Sequence, residues 1–400
     1  MNPINQQRWK RFSKNKMAMI SLKVFTLLTL ISLCSELFFN DKALVVYYKG
    51  EFHFPFIQNA IPAKTFGLET QSEANYLDLQ KQFRQTPEEG NWLMMPFIPY
   101  HYRSVSKVDS TPIDLELKNK EDFYNTQIEQ LQQNLEANKH QIYELKLTRN
   151  HALGKIDSQK YHPLPPTLAT KHFLGTDSTG RDILAQLSYG YRIAITFALI
   201  LLLINYFIGI AIGCAMGYLG SWYDLLMQRI IEVLSNIPFL YIIIIIASIL
   251  RSNGFTMGFW ALVGIYVSLG WMGMTWYMRT ATLKEKAREY VLAARAAGAS
   301  NTRIVFTHIL PNVVSLLVTF APFSISGAIV GLTSLDFLGY GLPKDYPSWG
   351  SLIKLGTDNI QSPWIITSIV FAMVLILFLI NAVGEGIRQA FDPKKISHFE

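Results

Sequence analysis

Apolar positions along this chain gather into six long runs, at about 17–39, 192–219, 226–250, 258–280, 313–333 and 363–386. Each approaches the roughly 20 residues that a helix needs to cross a bilayer. The second is the clearest: from Ile193 to Ile212, 13 of 20 positions are Leu, Ile or Phe. At about −0.3 to −0.6 kcal/mol each, that window gains roughly 4–8 kcal/mol on insertion. In the third run, Arg229 and Glu232 are spaced to pair at i,i+3, and Pro238 predicts a kink beyond them. The fourth mixes Gly270 and Gly273 with Trp271, and small residues there suit close helix packing.

Between the first two runs the pattern turns polar, over 40–170, with aromatic clusters such as Phe52, Phe54 and Phe56. Within it, 113–150 reads as helix. Tyr124, Ile128, Leu131, Leu135, Ile142 and Leu145, with Asn138 in the same register, recur at intervals of three and four. That spacing predicts a short helical hairpin arm, a coiled-coil contact, or an amphipathic helix packed on its own domain. His162, Pro163, Pro165 and Pro166 make a stiff linker back towards the second run, with 171–191 as a lead-in.

Composition agrees with the pattern. Of 400 residues, half are hydrophobic and 16% are charged, against about 25% in soluble domains. The net charge of +7 lies beside apolar runs, which favours a topological reading over nucleic-acid binding. Cys34 and Cys214 both sit inside apolar runs, so neither a disulfide framework nor a CxxC metal site is expected. The basic leader 1–16 resembles the start of a signal peptide, yet no small-x-small cleavage site follows. An uncleaved anchor at 17–39 is expected.

Lysine and arginine counts orient the runs. The leader carries five, residues 279–310 carry six, and the tail 387–400 carries Arg388, Lys394 and Lys395. In a six-span arrangement all three segments share one side, so both termini and the 282–311 segment are expected in the cytoplasm and 40–170 outside. Burying the six basic residues of 279–310 in lipid would cost on the order of 15 kcal/mol.

That cytoplasmic segment is unusual. Leu283, Ala287, Tyr290, Val291 and Ala294 recur at helical spacing as one apolar stripe. Gly298 suits a helix stop, Ser300 an N-cap for a second short helix over 301–309, and Pro311 an end to that helix. The product is a helix-turn-helix knuckle whose alanines give it a thin profile. Elsewhere, Gly175 to Asp182 comes close to a phosphate loop but has Arg181-Asp182 in place of Lys-Ser/Thr. It is expected to be a turn, with Asp177 or Ser178 capping a helix that buries Ile183, Leu184 and Leu187. No catalytic residue is expected in the chain.

The knuckle resembles the ATPase-coupling loop of bacterial ABC importer permeases, roughly EAA, three residues, Gly, nine residues, then I-x-L-P. Here it reads Leu292-Ala293-Ala294, three residues, Gly298, nine residues, then His308-Ile309-Leu310-Pro311. The Tyr290-to-Arg295 form is similar to the peptide-permease branch. So are the blocks FLGTDSTGRDILAQLSYGYRIAI, LDFLGYGLPKDYPSWG and FDPKK. The N-terminal SLCSELFFNDKALVVYYKGEFHFPF resembles the permease subunit of microcin C-type oligopeptide importers.

The resemblance implies an all-α integral membrane fold: one transmembrane helix, a large polar periplasmic insertion at 40–170, then a five-helix core at 192–386. It implies a multi-pass protein of the bacterial inner membrane that moves peptides or peptide-like compounds. Partners would be a second permease subunit, a cytoplasmic ABC ATPase holding ATP and Mg, and a periplasmic peptide-binding protein. Glu289, Tyr290, Ala293, Ala294, Arg295, Gly298, His308 and Pro311 would couple to the ATPase. By its own residues, the Gly- and Pro-punctuated loop 334–362 is expected either to dip into the outer mouth, with Asp336, Tyr340 and Trp349 as outer-gate candidates, or to be a plain surface loop. The residues themselves leave open an ion-coupled secondary transporter, which predicts acidic or His residues at mid-membrane, and a scaffold that works through its outer domain.

Overall fold

The computed structural model describes residues 3–58, 60–68, 72–106, 111–132, 135–157, 163–255, 257–343 and 345–391. The chain begins with helices α1 (Pro3–Lys14), α2 (Lys16–Leu33) and α3 (Ser35–Phe38). Strands β1 (Val45–Tyr48) and β2 (Glu51–His53), helix α4 (Tyr76–Gln85) and strand β3 (Trp92–Met94) come next. Then come α5 (Thr111–Gln132), α6 (Leu135–Asp157), α7 (Ile183–Leu219), α8 (Ser221–Ser235), α9 (Phe239–Ser252) and α10 (Phe259–Lys286). The last third holds α11 (Glu289–Ala296), α12 (Asn301–Arg303), a π-helical turn Ile304–Ile309, α13 (Leu310–Phe337), α14 (Trp349–Asp358) and α15 (Pro363–Phe391). Residues fall into two compact units, one of 34–186 with 353–368, the other of the remainder.

The first unit departs from the all-α expectation. Its three strands pair antiparallel in the order β2-β1-β3. The Val-Val-Tyr-Tyr run of β1 favours a pleated, half-buried surface. Lys49 and Gly50 both adopt positive φ, at +48° and +91°, as a two-residue hairpin turn requires. Val46, Leu93, Phe66, Tyr76, Leu79 and Phe83 form its core. The helical segment expected at 113–150 is two helices, α5 and α6, folded against each other. Ile128, Ile142 and Ile156 are buried, Asn138 Nδ2 donates to the Leu131 carbonyl at 3.2 Å, and Arg149 reaches Asn125 Oδ1 at 2.9 Å. Of the proposed linker, His162 lies outside the described residues.

The turn at 175–182 corrects a second expectation. Asp182, not Asp177 or Ser178, caps α7, accepting from Ala185 N at 2.8 Å. Asp177 closes the loop instead: its Oδ1 accepts from Thr179 N and Arg181 N and its Oδ2 from Gln186 Nε2, at 2.7, 3.0 and 2.8 Å. His172 Nδ1 lies 2.7 Å from Asp182 Oδ2, both side chains buried. Every carboxylate oxygen in this turn thus has a protein partner.

The other unit holds the apolar helices. Among the described residues five are long and apolar enough to cross a membrane: α2, α7, α10, Leu316–Phe337 within α13, and α15. The pair α8–α9 counts as a sixth only if taken as one span bent by 71°. The expected kink at Pro238 is therefore a break, spanning Asn236–Pro238, because proline strips a backbone donor and disfavours helix in the residue before it. Arg229 and Glu232 pair as expected, at 2.6 Å. The first run stops at Leu33 instead of residue 39. The helix ends where Cys34, Ser35 and Glu36 begin a separate turn.

Close packing in this unit rests on α7. Gly209, Gly213 and Gly217 recur every fourth residue, so they share one face. A Cβ at Gly213 would lie 2.6 Å from the Thr275 carbonyl oxygen, and one at Gly217 would lie 2.7 Å from that of Arg279. Only glycine lets the α7 and α10 backbones approach this closely. Gly270 is also crowded, by Asn205, whereas Gly273 has open space. Asp224 of α8 and Arg279 of α10 add a two-pronged ion pair, at 2.6 and 2.7 Å.

Candidate functional site

The knuckle begins where α10 stops at Lys286 and the chain reverses through Ala287 and Arg288 into α11. α11 ends on a Schellman turn. Gly298 takes φ +80°; Gly298 N donates to the Arg295 carbonyl at 3.0 Å and Ala299 N to that of Ala294 at 3.1 Å. Ser300 Oγ then accepts from Arg303 N at 3.4 Å, capping the next helix as its sequence position anticipates.

One buried cluster pins this small element: Val291 of α11, Ile304 and Ile309 of the π-turn, and Tyr218 at the end of α7. Tyr218 also donates its hydroxyl to Asn301 Oδ1 at 2.9 Å. Lys286 Nζ donates to the Tyr218 carbonyl at 2.6 Å, a cation at a helix C-terminus where backbone carbonyls lack partners. The expected stripe is correspondingly narrower. Val291 is buried, while Leu283, Ala287 and Tyr290 are exposed or half-exposed and Ala294 is partly so. The reversal at Ala287–Arg288 puts Leu283 on a different helix from Tyr290 and Val291, so the stripe cannot run continuously.

Tyr290 has a separate role. Its hydroxyl donates to Glu285 Oε2 at 2.6 Å and accepts from Asn312 Nδ2 at 3.1 Å, joining α11 to the end of α10 and the start of α13. Burial and the Glu285 carboxylate push this hydroxyl up to about 12, so it keeps its proton at neutral pH.

Pro311 does not end a helix, contrary to the expectation. Helix runs on from Asn301 to Phe337, and Pro311 lies in the first turn of α13. The preceding π-turn widens the coil just where a prolyl ring would crowd the carbonyl four residues back. Asn312 Nδ2 satisfies the His308 carbonyl at 2.7 Å.

The knuckle's outer surface is bare. Glu289, Ala293, Arg295, Ala296, Ala297, Gly298 and Pro311 are exposed, His308 partly so. A Cβ at Gly298 would meet nothing within 4 Å. Leu292 is 54% and Phe306 64% exposed, so apolar area remains uncovered beside the alanines.

Asp336, Tyr340 and Trp349 lie elsewhere in the same unit, and much of 334–362 is helical, as the end of α13 and α14. Asp336 is buried; its Oδ1 accepts from Leu342 N at 2.7 Å and its Oδ2 accepts from the Ser348 hydroxyl. Trp349 is buried, stacks on Tyr191 at 5.7 Å, and donates Nε1–H to the Leu187 carbonyl at 3.0 Å. Tyr340 N completes a second Schellman turn on Leu335 O, at 3.0 Å.

A cavity of about 760 Å³ opens among α7, α8–α9, α10 and α13. Asn205, Tyr206, Tyr266, Tyr277 and Ser324 supply polar groups, and among the described residues its lining contains no acidic, basic or histidine side chain. Tyr206 and Ser324 share a hydrogen bond of 3.1 Å, while Asn205 Oδ1 is buried with no partner.

Sequence reasoning located the knuckle's exposed residues but missed those that hold it: Tyr218, Glu285, Lys286, Asn301 and Asn312. The glycine spacing at 209, 213 and 217 was the available signal for the close α7–α10 contact.

Comparison with known proteins agrees with this architecture. Residues 209–397 match the family model of the binding-protein-dependent transport system inner membrane component. Residues 4–49 match the N-terminal TM domain of oligopeptide transport permease C. The chain is 35% identical to the peptidoglycan transport system permease protein YejE of Agrobacterium fabrum, over 98% of its own length and 94% of the relative's. It is 34% identical to the inner membrane ABC transporter permease protein YejE of Escherichia coli, over 99% and 98%. It is 35% identical to the oligopeptide transport system permease protein OppC of Haemophilus influenzae, over 57% and 72%. This chain belongs to the family of binding-protein-dependent transport system inner membrane components and is a permease subunit of an ABC importer.

Proposed function

We propose that the chain carries peptides or peptide-like compounds across the inner membrane, driven by ATP hydrolysed in a separate subunit that docks on the 289–311 knuckle. The bare alanine and glycine surface, pinned from beneath by Tyr218, Val291, Ile304 and Ile309, carries this reading. Glu289, Tyr290, Ala293, Ala294, Arg295, Gly298, His308 and Pro311 lie in or beside that surface. Force received there has two short routes into the membrane helices. One is α13, which is continuous with the knuckle; the other is the Lys286–Tyr218 contact to α7.

In this reading both termini and the knuckle are cytoplasmic, α8–α9 counts as one broken span of six, and residues 40–170 form a periplasmic insertion. A second permease completes the path, and a periplasmic binding protein delivers the cargo. The neutral cavity supports passage of varied peptides, since a wall without fixed charge imposes no charge selection. The same neutrality tells against an ion-coupled secondary transporter. Asp336 and Trp349 hold the outer loop in shape, and Tyr340 is the gate candidate among the three that keeps partial exposure.

The cargo is of the type handled by microcin C-type oligopeptide importers. The experiment is uptake of a labelled peptide by vesicles containing the complete transporter, with wild type or Gly298→Asp, at matched expression. Uptake should fall at least tenfold in the variant. Normal uptake would overturn the coupling role. Competition by a microcin C-like peptide against a peptidoglycan fragment, chosen because one relative is named a peptidoglycan transport system permease, sharpens the substrate. Stronger competition by the latter would overturn the microcin C-type assignment.

A further inference from the structure

Asn205 continues the glycine ridge of α7. It stands four residues before Gly209, so positions 205, 209, 213 and 217 share one face. The three glycines let the α10 backbone in. At Asn205 the roles reverse and α10 supplies the glycine: a Cβ at Gly270 would lie 2.5 Å from Asn205 Nδ2. A carboxamide set into a close contact between membrane helices ordinarily bonds across it. The oxygen of this one does not, for Asn205 Oδ1 is buried and has no partner. A buried acceptor left unmade costs stability, so helix packing does not explain why an amide stands here.

Asn205 also lines the neutral cavity. Other polar side chains in that wall are already engaged. Tyr206 and Ser324 share their hydrogen bond of 3.1 Å, and Ser235 Oγ donates to Met272 Sδ at 3.6 Å. Around them the wall is aromatic: Tyr266 packs edge-on against Phe239 at 4.7 Å, and Tyr277 stacks on Phe320 at 4.3 Å. No bond to Oδ1 fixes the carboxamide in one sense, and its last torsion is broadly two-fold, so oxygen and nitrogen can exchange places. The group offers an acceptor and two donors side by side. A peptide backbone offers the complementary N–H and C=O at nearly every residue, whatever the side chains.

We infer that Asn205 is the residue with which this cavity reads its cargo. Its carboxamide pairs with one backbone amide of a peptide in transit, accepting from the N–H and donating to the C=O. The peptide's side chains then meet aromatic and apolar walls, so the site recognises backbone and tolerates varied sequence. Gly270 is the positioning residue that leaves room for the amide. This assignment rests on the peptide-transport reading above and names the group that carries its breadth.

The test is uptake by vesicles holding the complete transporter and its binding protein. The cargo is a tetrapeptide, compared with analogues in which each peptide N–H is replaced in turn by an ester oxygen. In the wild type, one replacement should lower uptake about tenfold through loss of this bond. In Asn205→Leu that penalty should shrink to about twofold or less, while penalties at the other positions, set by the binding protein, stay as they were. Identical penalties in the two proteins would overturn the assignment. So would a variant whose only defect is a smaller amount of assembled transporter, which would make Asn205 a packing residue. Should Asn205→Leu not assemble, Gly270→Ala decides. Its methyl displaces the carboxamide, so the same penalty should shrink, and an intact penalty contradicts the role. A wild type that takes up neither the tetrapeptide nor any analogue would instead overturn the peptide-transport reading, and this assignment with it.

Discussion

Helices α11 and α13 both end on a left-handed glycine, Gly298 at φ +80° and Gly339 at φ +79°, each closed by the same pair of backbone bonds. Beyond these matching turns the two segments diverge. Around Gly298 the chain leaves alanines, Leu292 and Phe306 uncovered, and its polar side chains serve mainly to hold the element from behind. Around Gly339 the chain turns its chemistry inward: Asp336 is consumed by Leu342 and Ser348, and Trp349 by Leu187 and Tyr191. Gly350 shows the contrast at one atom. A Cβ there would press on the Thr333 carbonyl and lie 2.5 Å from Phe337 N, whereas a Cβ at Gly298 would meet nothing. One loop is a clamp satisfied by its own chain, and the other leaves apolar surface uncovered, as the proposed docking role requires.

The largest stability effect should therefore fall on the clamp. Asp336→Ala strands the Leu342 amide and the Ser348 hydroxyl, each costing roughly 1–3 kcal/mol if left unpaired. Thermal unfolding of the purified chain should show a clear drop in midpoint, with Asp336→Asn keeping part of the loss back. If Asp336→Ala unfolds like wild type, the clamp reading fails. Next comes Gly213→Val on α7, which forces apart two backbones now separated only by a missing side chain. Overpacking of this kind costs about 1–3 kcal/mol, read as the same midpoint shift. The smallest is Tyr290→Phe, which removes one hydroxyl and its bonds to Glu285 and Asn312, about 1 kcal/mol. Its transport should drop more than its stability if those bonds hold the docking surface in register. A proportional change in both would reduce Tyr290 to a structural tie.

Much of this was readable from residue order, for identifiable reasons. The spans announce themselves because insertion depends on summed side-chain hydrophobicity over one contiguous window. Gly298 and Ser300 are readable because a helix stop and an N-cap are decided within a few residues. Pro311 misleads by the same locality: the rule that proline ends a helix holds for an α-turn, and the π-turn at Ile304–Ile309 removes its premise. Asp177 and Asp182 are both sound N-cap candidates, and only the fold decides which side chain faces the amides of α7. The heptad register of 113–150 continues across the break between α5 and α6, so spacing alone left the hairpin and the single amphipathic helix both open, and the structure has the hairpin. Tyr218 lies 83 residues from Asn301, and no local pattern links them.

The most direct test of the central claim is cysteine cross-linking from the knuckle in membranes of the assembled transporter. With Cys34 and Cys214 replaced by Ser, Ala293→Cys or Ala297→Cys should cross-link to the ATPase subunit, and the yield should change when ATP binds. A control cysteine at Tyr340 should not. Absence of any ATPase adduct from the knuckle positions, or their labelling by a membrane-impermeant reagent added outside intact cells, would contradict the account.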